Sequence, residues 1–162
     1  CIRDSYYEME QKALMSTTDV GSVQTYDYEG DCGTVDFFNP EAQKFVWSKC
    51  KQNYRDWGID LFWLDNSEPD STTYDFENYR YYTGRGSKVG CEYPKKYVEA
   101  FCNGQEAEGD HEAVNLCRSA WVGSQKYRTL VWTGDVQSNF ESFKDQVIAG
   151  QNMGLALSLI HI

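Results

Sequence analysis

Residues 58–70, GIDLFWLDNSEPD, decide the fold, because a mostly apolar run passes directly into a cluster of acids. The apolar part, residues 59–64, has the length and side-chain types of a buried strand. Asp65, Glu68 and Asp70 follow it within six positions. Two interpretations are open here: a strand that ends in a solvated turn, or a carboxylate held at a strand end for chemistry.

The segments around this strand alternate helical and extended patterns. Apolar residues at helical spacing predict three helices, at residues 40–57, 93–105 and from 138 onward. Short apolar runs predict strands at residues 12–18, 59–64, 112–117 and 129–132, and residues 1–11, 24–36 and 66–92 are expected to be irregular. Helices that alternate with strands predict an α/β fold with a parallel sheet, either doubly wound or a barrel.

Residues at the helix ends support these boundaries. Asn39 suits the cap of the first helix, and Pro40 its first position, where a backbone N–H would be unpaired anyway. Gly58 suits the C-terminal end of that helix. Gly104 is expected to interrupt the second helix, and residues 138–141, SNFE, form a capping box for the third, with the serine as the cap.

Two predicted strands end alike, with a tryptophan followed closely by an aspartate: Trp63 before Asp65, and Trp132 before Asp135. In α/β barrels the carboxyl ends of the strands form the active-site face, so the two acids could face each other across a pocket. Glycoside hydrolysis uses such a pair: one carboxylate attacks the anomeric carbon and the other protonates the leaving oxygen. The alternative is that both acids cap helices or lie in solvated loops.

Composition narrows the classes of partner. The chain of 162 residues fits one domain, and its net charge of −10 argues against nucleic acid and against anionic membrane surfaces. A neutral substrate is compatible with that charge. The 12 Tyr, 8 Phe and 5 Trp fit either an aromatic core or a sugar-binding cleft lined by flat rings.

The cysteines and histidines predict no metal site. Six cysteines are spread along the chain without a C-x-x-C pair, and neither histidine stands at a metal-ligand spacing, so we expect buried free thiols. Residues 84–90 match a phosphate-binding loop only loosely, and Pro69 stands where a calcium loop needs a ligand. No run has the pattern of a secretion signal or the length of a membrane span.

Four motifs together resemble glycoside hydrolase family 31, the family of α-glucosidases and α-xylosidases. Residues 58–69 resemble its nucleophile motif, and residues 131–135, VWTGD, resemble its acid/base motif. Residues 35–42, VDFFNPEA, and residues 118–127, RSAWVGSQKY, resemble two further segments of the family. The four motifs occur in the family's order, and the resemblance spans about residues 10–156.

The resemblance implies a role for each matching residue. Asp65 would be the nucleophile, forming a β-linked glycosyl-enzyme, and Asp135 the general acid and then the general base. Arg118 would bind sugar hydroxyls next to the scissile bond. Glu68 would contact substrate or hold its loop. The other residues assigned to substrate binding are Trp63, Trp132 and Asn66. The family uses no metal or cofactor.

The length of the chain differs from that of the family's barrel. An eight-stranded α/β barrel needs about 250 residues, so residues 1–156 would correspond roughly to strands 3 to 6 with their helices. Residues 157–162 do not continue the family's pattern and are expected to be a non-native tail. An open barrel leaves sheet edges and core uncovered, so the isolated chain is expected to be inactive and to associate.

The resemblance implies a retaining, exo-acting α-glycoside hydrolase that releases α-linked xylose or glucose from oligosaccharides. Residues 70–93 resemble α-xylosidases more than starch-cleaving relatives. The alternatives are a truncated inactive piece and a non-catalytic carbohydrate-binding protein on the same fold. The presence of both Asp65 and Asp135 speaks against pure binding, which requires neither.

Overall fold

Six α-helices, three short 3-10 helices and seven short strands follow one another in the computed structural model, which describes residues 2–27, 30–68 and 75–157. The helices are α1 (Ile2–Gln11), α2 (Pro40–Asn53), α3 (Asp75–Asn78), α4 (Gly86–Val89), α5 (Tyr93–Ala107) and α6 (Phe140–Leu157). The strands are β1 (Thr25–Asp27), β2 (Asp31–Gly33), β3 (Trp63–Leu64), β4 (Arg80–Tyr81), β5 (Gly84–Arg85), β6 (Asn115–Cys117) and β7 (Thr129–Val131).

A parallel sheet of three strands organises the structure. Its order is β3-β6-β7, with β6 in the centre, and both pairings are parallel. The hairpins β1–β2 and β4–β5 are antiparallel and separate from it. The predicted α/β fold with a parallel sheet is therefore confirmed, and the carboxyl ends of all three strands lie along one edge.

The two faces of this sheet differ in burial. Leu64 and Cys117 are paired in register and are 2% and 0% exposed, in the core formed with α2 and α5. Trp63 and Leu130 point to the other face and are 67% and 50% exposed. Side chains alternate along a strand, so the sheet is covered by helices on one face and open on the other.

Aromatic rings fill the space between the helices and the segments before β3. Phe37 stacks on Tyr97 of α5 with ring centroids 4.4 Å apart, and Tyr93 lies edge-on to Phe37 at 5.7 Å. Trp47 of α2 meets Phe101 of α5 at 6.0 Å. Much of the aromatic content therefore belongs to the core, as the plainer of the two compositional interpretations predicts.

Asp36 is a buried acid that ties two loops together. Asp36 is only 5% exposed, and its carboxylate accepts hydrogen bonds from the backbone N–H of Phe38 at 3.0 Å and of Tyr82 at 2.6 Å. Burial raises the pKa of Asp36 to about 6, although the backbone hydrogen bonds act in the opposite direction. In this part of the structure, Asp36 organises the fold.

The raised pKa of Asp36 predicts a pH dependence of stability. Between the ordinary aspartate pKa and about 6, the folded protein binds more protons than the unfolded chain, so stability falls as pH rises through this window. By pH 7 the free energy of unfolding is lower by up to about 3 kcal/mol. Denaturant midpoints of the full-length protein, measured from pH 4 to 7, check this. Asp36→Asn should flatten the profile and exposed Asp56→Asn should not; a profile unchanged by Asp36→Asn would contradict the prediction.

The N-terminal region is more regular than its sequence predicts. Residues 1–11 were expected to be irregular, but residues 2–11 form α1, which places Met9 in a small core with Leu14 and Met15. Residues 24–36, expected to be a loop, contain the hairpin β1–β2. The predicted strand at residues 12–18 is wrong: only isolated bridges form there.

Predicted elements elsewhere are mostly present with different bounds. The strands expected at residues 59–64, 112–117 and 129–132 are shorter. Described parts of residues 66–92, expected to be a loop, hold two short helices and the hairpin β4–β5. The helix predicted at 93–105 continues to Ala107, so Gly104 lies inside α5 and does not interrupt it. Residues 157–162 lie almost wholly outside the described residues.

Helix α6 forms as predicted but is capped by a neighbour of the predicted residue. Asn139 Oδ1, and not the Ser138 hydroxyl, accepts the hydrogen bond from the backbone N–H of Ser142 at 2.8 Å. The predicted apolar stripe is present but exposed: Phe140 is 92% and Phe143 65% exposed. An apolar groove of about 460 Å³ lies between α6 and β7.

The prediction of buried free thiols is confirmed for only some of the cysteines that the structure describes. Cys50, Cys91, Cys102 and Cys117 are free thiols, but only Cys102 and Cys117 are buried, since Cys50 is partly buried and Cys91 is exposed. Within the described residues, no helix combines the length and the apolarity that crossing a membrane requires.

Candidate active site at the carboxyl edge of the sheet

The strand order brings the predicted acids to the two sides of Arg118. Asp65 directly follows β3, Arg118 directly follows β6, and Asp135 lies four residues beyond the end of β7. Since β6 is the central strand, Arg118 stands between the segments that carry the two aspartates. This juxtaposition requires the strand order, which the sequence alone does not reveal.

The Arg118 guanidinium contacts three side chains of the loop after β3. Its Nη1 lies 3.5 Å from Asp65 Oδ1. Its Nη2 donates to Asn66 Oδ1 at 3.0 Å, and Nε and Nη2 both donate to Glu68 Oε2, at 3.3 and 3.1 Å. One edge of the guanidinium is therefore occupied by Asn66 and Glu68, while the Nη1 end faces Asp65.

The backbone of the loop after β3 turns sharply at Asn66. Asn66 has a φ of +46°, in the left-handed region that asparagine tolerates better than most residues. Its backbone N–H donates to Asp65 Oδ1 at 2.9 Å. The turn thus fixes the Asp65 carboxylate from its own backbone side, while Arg118 approaches from β6.

Electrostatics favours a charged cluster here. Partial burial would raise the pKa of Glu68, but hydrogen bonds from Arg118 and Ser119 outweigh it and hold that pKa below its usual range. The hydrogen bond to Glu68, with the nearby charges of Asp65 and Asp135, raises the pKa of Arg118. Glu68 is therefore ionised at neutral pH and forms an ion pair with Arg118.

Asp135 reaches the cluster through the glycine before it. Gly134 has a φ of +75°, and a Cβ there would lie 3.7 Å from Arg118 Cδ. The backbone before Asp135 therefore lies against the Arg118 side chain. Asp135 itself is exposed, and so is Asp65, whose side chain is 51% accessible.

The two tryptophans that the resemblance assigns to substrate binding contact each other. The rings of Trp63 and Trp132 are edge-to-face with centroids 5.4 Å apart. Trp63 is 67% exposed and Trp132 is partly buried. The pair spans the open face of the sheet between β3 and the segment after β7, with a broad apolar surface next to the charged cluster.

Sequence reasoning missed two serines in this site. Ser67, between Asn66 and Glu68, is 0% exposed, and its hydroxyl lies 2.7 Å from the hydroxyl of Ser119, next to Arg118. The available signal was position, since each serine adjoins predicted site residues in one of two motifs. Nothing in the sequence marked the two hydroxyls as paired or Ser67 as buried.

The described residues contain no group of three or more His, Cys, Asp or Glu side chains that could hold a metal ion. The arrangement combines two exposed carboxylates, a fixed guanidinium and two aromatic rings. Carboxylates and guanidinium can bind hydroxyl groups, and the rings can pack against an apolar sugar face.

A parallel sheet that carries its charged residues at the carboxyl edge is typical of α/β proteins, both barrels and doubly wound sheets. Residues 2–160 match the family described as Glycosyl hydrolases family 31 TIM-barrel domain, and the chain belongs to this family. The predicted fold class, part of a (β/α)8 TIM barrel, is thereby confirmed.

Several relatives resemble the chain over most of its length. The uncharacterized family 31 glucosidase ORF2 of Pseudescherichia vulneris is 47% identical, over 92% of this chain and 28% of that protein. Alpha-xylosidase A of Aspergillus niger is 30% identical, over 90% of this chain and 23% of that protein. A GH31 α-xylosidase from a soil metagenome, solved in complex with xylose, superposes with a TM-score of 0.87 at 45% identity, over 93% of this chain and 22% of that one. The chain thus spans about a quarter of the length of these relatives.

Proposed function

We propose that this chain carries the catalytic acids of a retaining, exo-acting α-glycoside hydrolase, which releases an α-linked sugar from the non-reducing end of an oligosaccharide. The observation that carries the proposal is the position of Arg118, which contacts the loop of Asp65 and lies against the glycine before Asp135. A site for pure binding has no need of an acid on each side of one fixed cation.

In the proposed reaction, Asp65 attacks the anomeric carbon while Asp135 protonates the departing glycosidic oxygen. Asp135 then removes a proton from water, which attacks the glycosyl-enzyme and releases the sugar with its α configuration retained. Retention by this route needs carboxylates about 5–5.5 Å apart. Strands β3 and β7 are separated by β6, roughly 10 Å apart in all, so both acids must reach inward over Arg118.

Arg118 would bind a sugar hydroxyl with its Nη1 end. Glu68 and Asn66 occupy the opposite edge of the guanidinium, which supports a holding role for Glu68 in preference to direct substrate contact. Asn66 would act in the same way. Trp63 and Trp132 would pack against the apolar face of the sugar and exclude water from the reacting bond.

We propose xylose as the sugar released. The α-xylosidase of Aspergillus niger and the metagenomic α-xylosidase bound to xylose support this choice. The relative of Pseudescherichia vulneris, described as a glucosidase, supports glucose as the second candidate. The substrate is an oligosaccharide or aryl α-glycoside in either case, and the net charge of −10 suits a neutral sugar.

A comparison of aryl α-xyloside with aryl α-glucoside tests the proposal in the full-length protein. We expect kcat/KM to favour the xyloside by about 10-fold or more, since a pocket closed around xylose has no room for the extra hydroxymethyl group. The aryl β-xyloside is the control and should not be cleaved. NMR of the fresh product should show the α anomer first. Preference for the glucoside would make the protein an α-glucosidase, and turnover of neither α-glycoside would contradict the hydrolase proposal.

A further inference from the structure

We propose that the hydroxyls of Ser67, which is buried, and Ser119, which is partly buried, form a clamp that positions Glu68, and through it Arg118, relative to Asp65. This inference rests on the proposed hydrolase function, and it assigns a positioning role to two residues outside the reacting set. The clamp joins the loop after β3 to the loop after β6 beneath the charged cluster.

The clamp begins where the backbone pairing of the two strands ends. Leu64 and Cys117 are the last residues in register between β3 and β6. Beyond them, Ser67 Oγ lies 2.7 Å from Ser119 Oγ, with Ser67 fully buried. The clamp and the Arg118–Glu68 ion pair therefore connect the two loops on two levels, one buried and one exposed to solvent.

The protons of this chain of hydroxyls have only one consistent direction. Glu68 is ionised and can only accept, so the Ser119 hydroxyl donates its proton to Glu68. Ser119 must then accept from Ser67, whose single proton is thereby used. The thiol of Cys117, which contacts Ser67, can only donate to it, and burial raises the pKa of Cys117 and keeps the thiol protonated.

This chain of hydrogen bonds holds Glu68 on its buried side, while Arg118 holds it on its exposed side. Loss of the Ser119 hydroxyl removes a donor to Glu68, and loss of the Ser67 hydroxyl removes the group that orients the Ser119 hydroxyl. In both cases the carboxylate gains freedom to rotate about Arg118. The guanidinium and Asp65 would then keep their contact only part of the time. The clamp thus acts on the geometry of the reacting carboxylate without touching substrate.

The test uses Ser119→Ala, Ser67→Ala and their combination in the full-length protein, with an aryl α-glycoside that the wild type cleaves. We expect each alanine variant to lower kcat by about 10- to 100-fold with KM nearly unchanged, because a displaced catalytic group is lost mainly in the transition state. The double variant should be no worse than the more damaged single variant, since both belong to one chain. Ser119→Thr keeps the hydroxyl at a partly exposed position and should recover most of kcat.

Ser16→Ala is the matched control for loss of a buried hydroxyl. Ser16 is 0% exposed and hydrogen-bonds the Gln24 side chain at 2.8 Å, in the N-terminal region. It should lower the melting temperature as much as Ser119→Ala does, but leave kcat at the wild-type level. If Ser16→Ala lost as much kcat as Ser119→Ala, the loss in Ser119→Ala would be explained by general destabilisation, and the proposed clamp would be wrong.

Other results would also overturn the inference without affecting the proposed function. These are wild-type kcat in Ser119→Ala, multiplicative effects of the two alanine changes, or a Ser119→Thr variant as slow as Ser119→Ala. If the wild-type protein cleaves no α-glycoside, the proposed function fails. Hydrogen exchange at residues 65–68 still tests the clamp in that case, since exchange there should accelerate in Ser119→Ala and not in Ser16→Ala.

Discussion

Asp65→Asn is expected to lower turnover of an aryl α-glycoside by on the order of 10⁴-fold or more, because an amide cannot form the glycosyl-enzyme. Asparagine has nearly the shape of aspartate, and its carbonyl oxygen can still accept the hydrogen bond that Asn66 N–H gives to Asp65. The exposed position of Asp65 makes a loss of stability small. Initial rates and thermal melting of the full-length protein would measure both quantities.

Two further variants make this result specific. Asp60→Asn changes an exposed acid of the same motif that pairs with Arg55, and it should leave turnover near the wild-type level. Asp135→Asn should lower kcat/KM by about 10²- to 10⁴-fold on substrates with a poor leaving group, and by much less on activated aryl glycosides, whose departure needs no proton. It should lower kcat on both, because Asp135 is also the base that activates water. Turnover that survives Asp65→Asn but not Asp60→Asn would mean that the nucleophile has been misassigned.

Local chemistry made some elements predictable from sequence. Asn39 Oδ1 accepts the backbone N–H of Glu41 at 2.9 Å, with Pro40 in the first turn, as the cap signal predicts for α2. Gly58, expected to end that helix region, has a φ of +90° after a short 3-10 turn. Such signals depend only on neighbouring residues, so they are readable without knowledge of the fold.

The strand after Gly58 shows where local reading fails. Residues 59–64 were predicted as one strand, but only Trp63 and Leu64 pair as a strand. Before them, the Phe62 N–H donates to the side chain of Asn115, and the Asp60 carbonyl accepts from the Gln105 side chain at 3.0 Å. Buried amides from β6 and α5 thus replace strand pairing, a substitution that depends on residues 45 to 53 positions away.

In the candidate site, too, the features that depend on neighbouring residues could be predicted, and those that depend on distant residues could not. The sequence predicts which residues carry charge and which strand ends present them, and the structure brings Asp65, Asn66 and Glu68 onto Arg118. The sequence could not predict that Asn66 and Glu68 occupy one edge of the guanidinium, because their positions depend on the left-handed turn at Asn66. The hydrogen-bonded pair of Ser67 and Ser119 could not be predicted for the same reason. The catalytic roles of Asp65 and Asp135 remain predictions until the variants are measured.

Gly104→Ala is expected to destabilise the protein by about 2 kcal/mol or more, as overpacking of a rigid site does. Glycine normally weakens a helix, and alanine would by itself gain roughly 1 kcal/mol in α5. However, a Cβ at Gly104 would lie 2.2 Å from the ring of Trp47, where no flexible side chain can yield. Trp47 is itself held, because its indole N–H donates to Glu108 at 3.2 Å.

The same substitution at another helical glycine separates packing from helix propensity. Gly150, in α6, has nothing within 4 Å of its Cβ position, so Gly150→Ala should stabilise the protein slightly. Denaturant midpoints of the two variants and the wild type would be compared in the full-length protein. We expect the change in the free energy of unfolding to have opposite signs in the two variants. The reason is that α5 must approach α2 closely at Gly104 to bury Trp47 behind the sheet that carries Asp65 and Arg118. If both variants were stabilised, the contact between α2 and α5 would have to be looser than the packing of Trp47 against Gly104 requires.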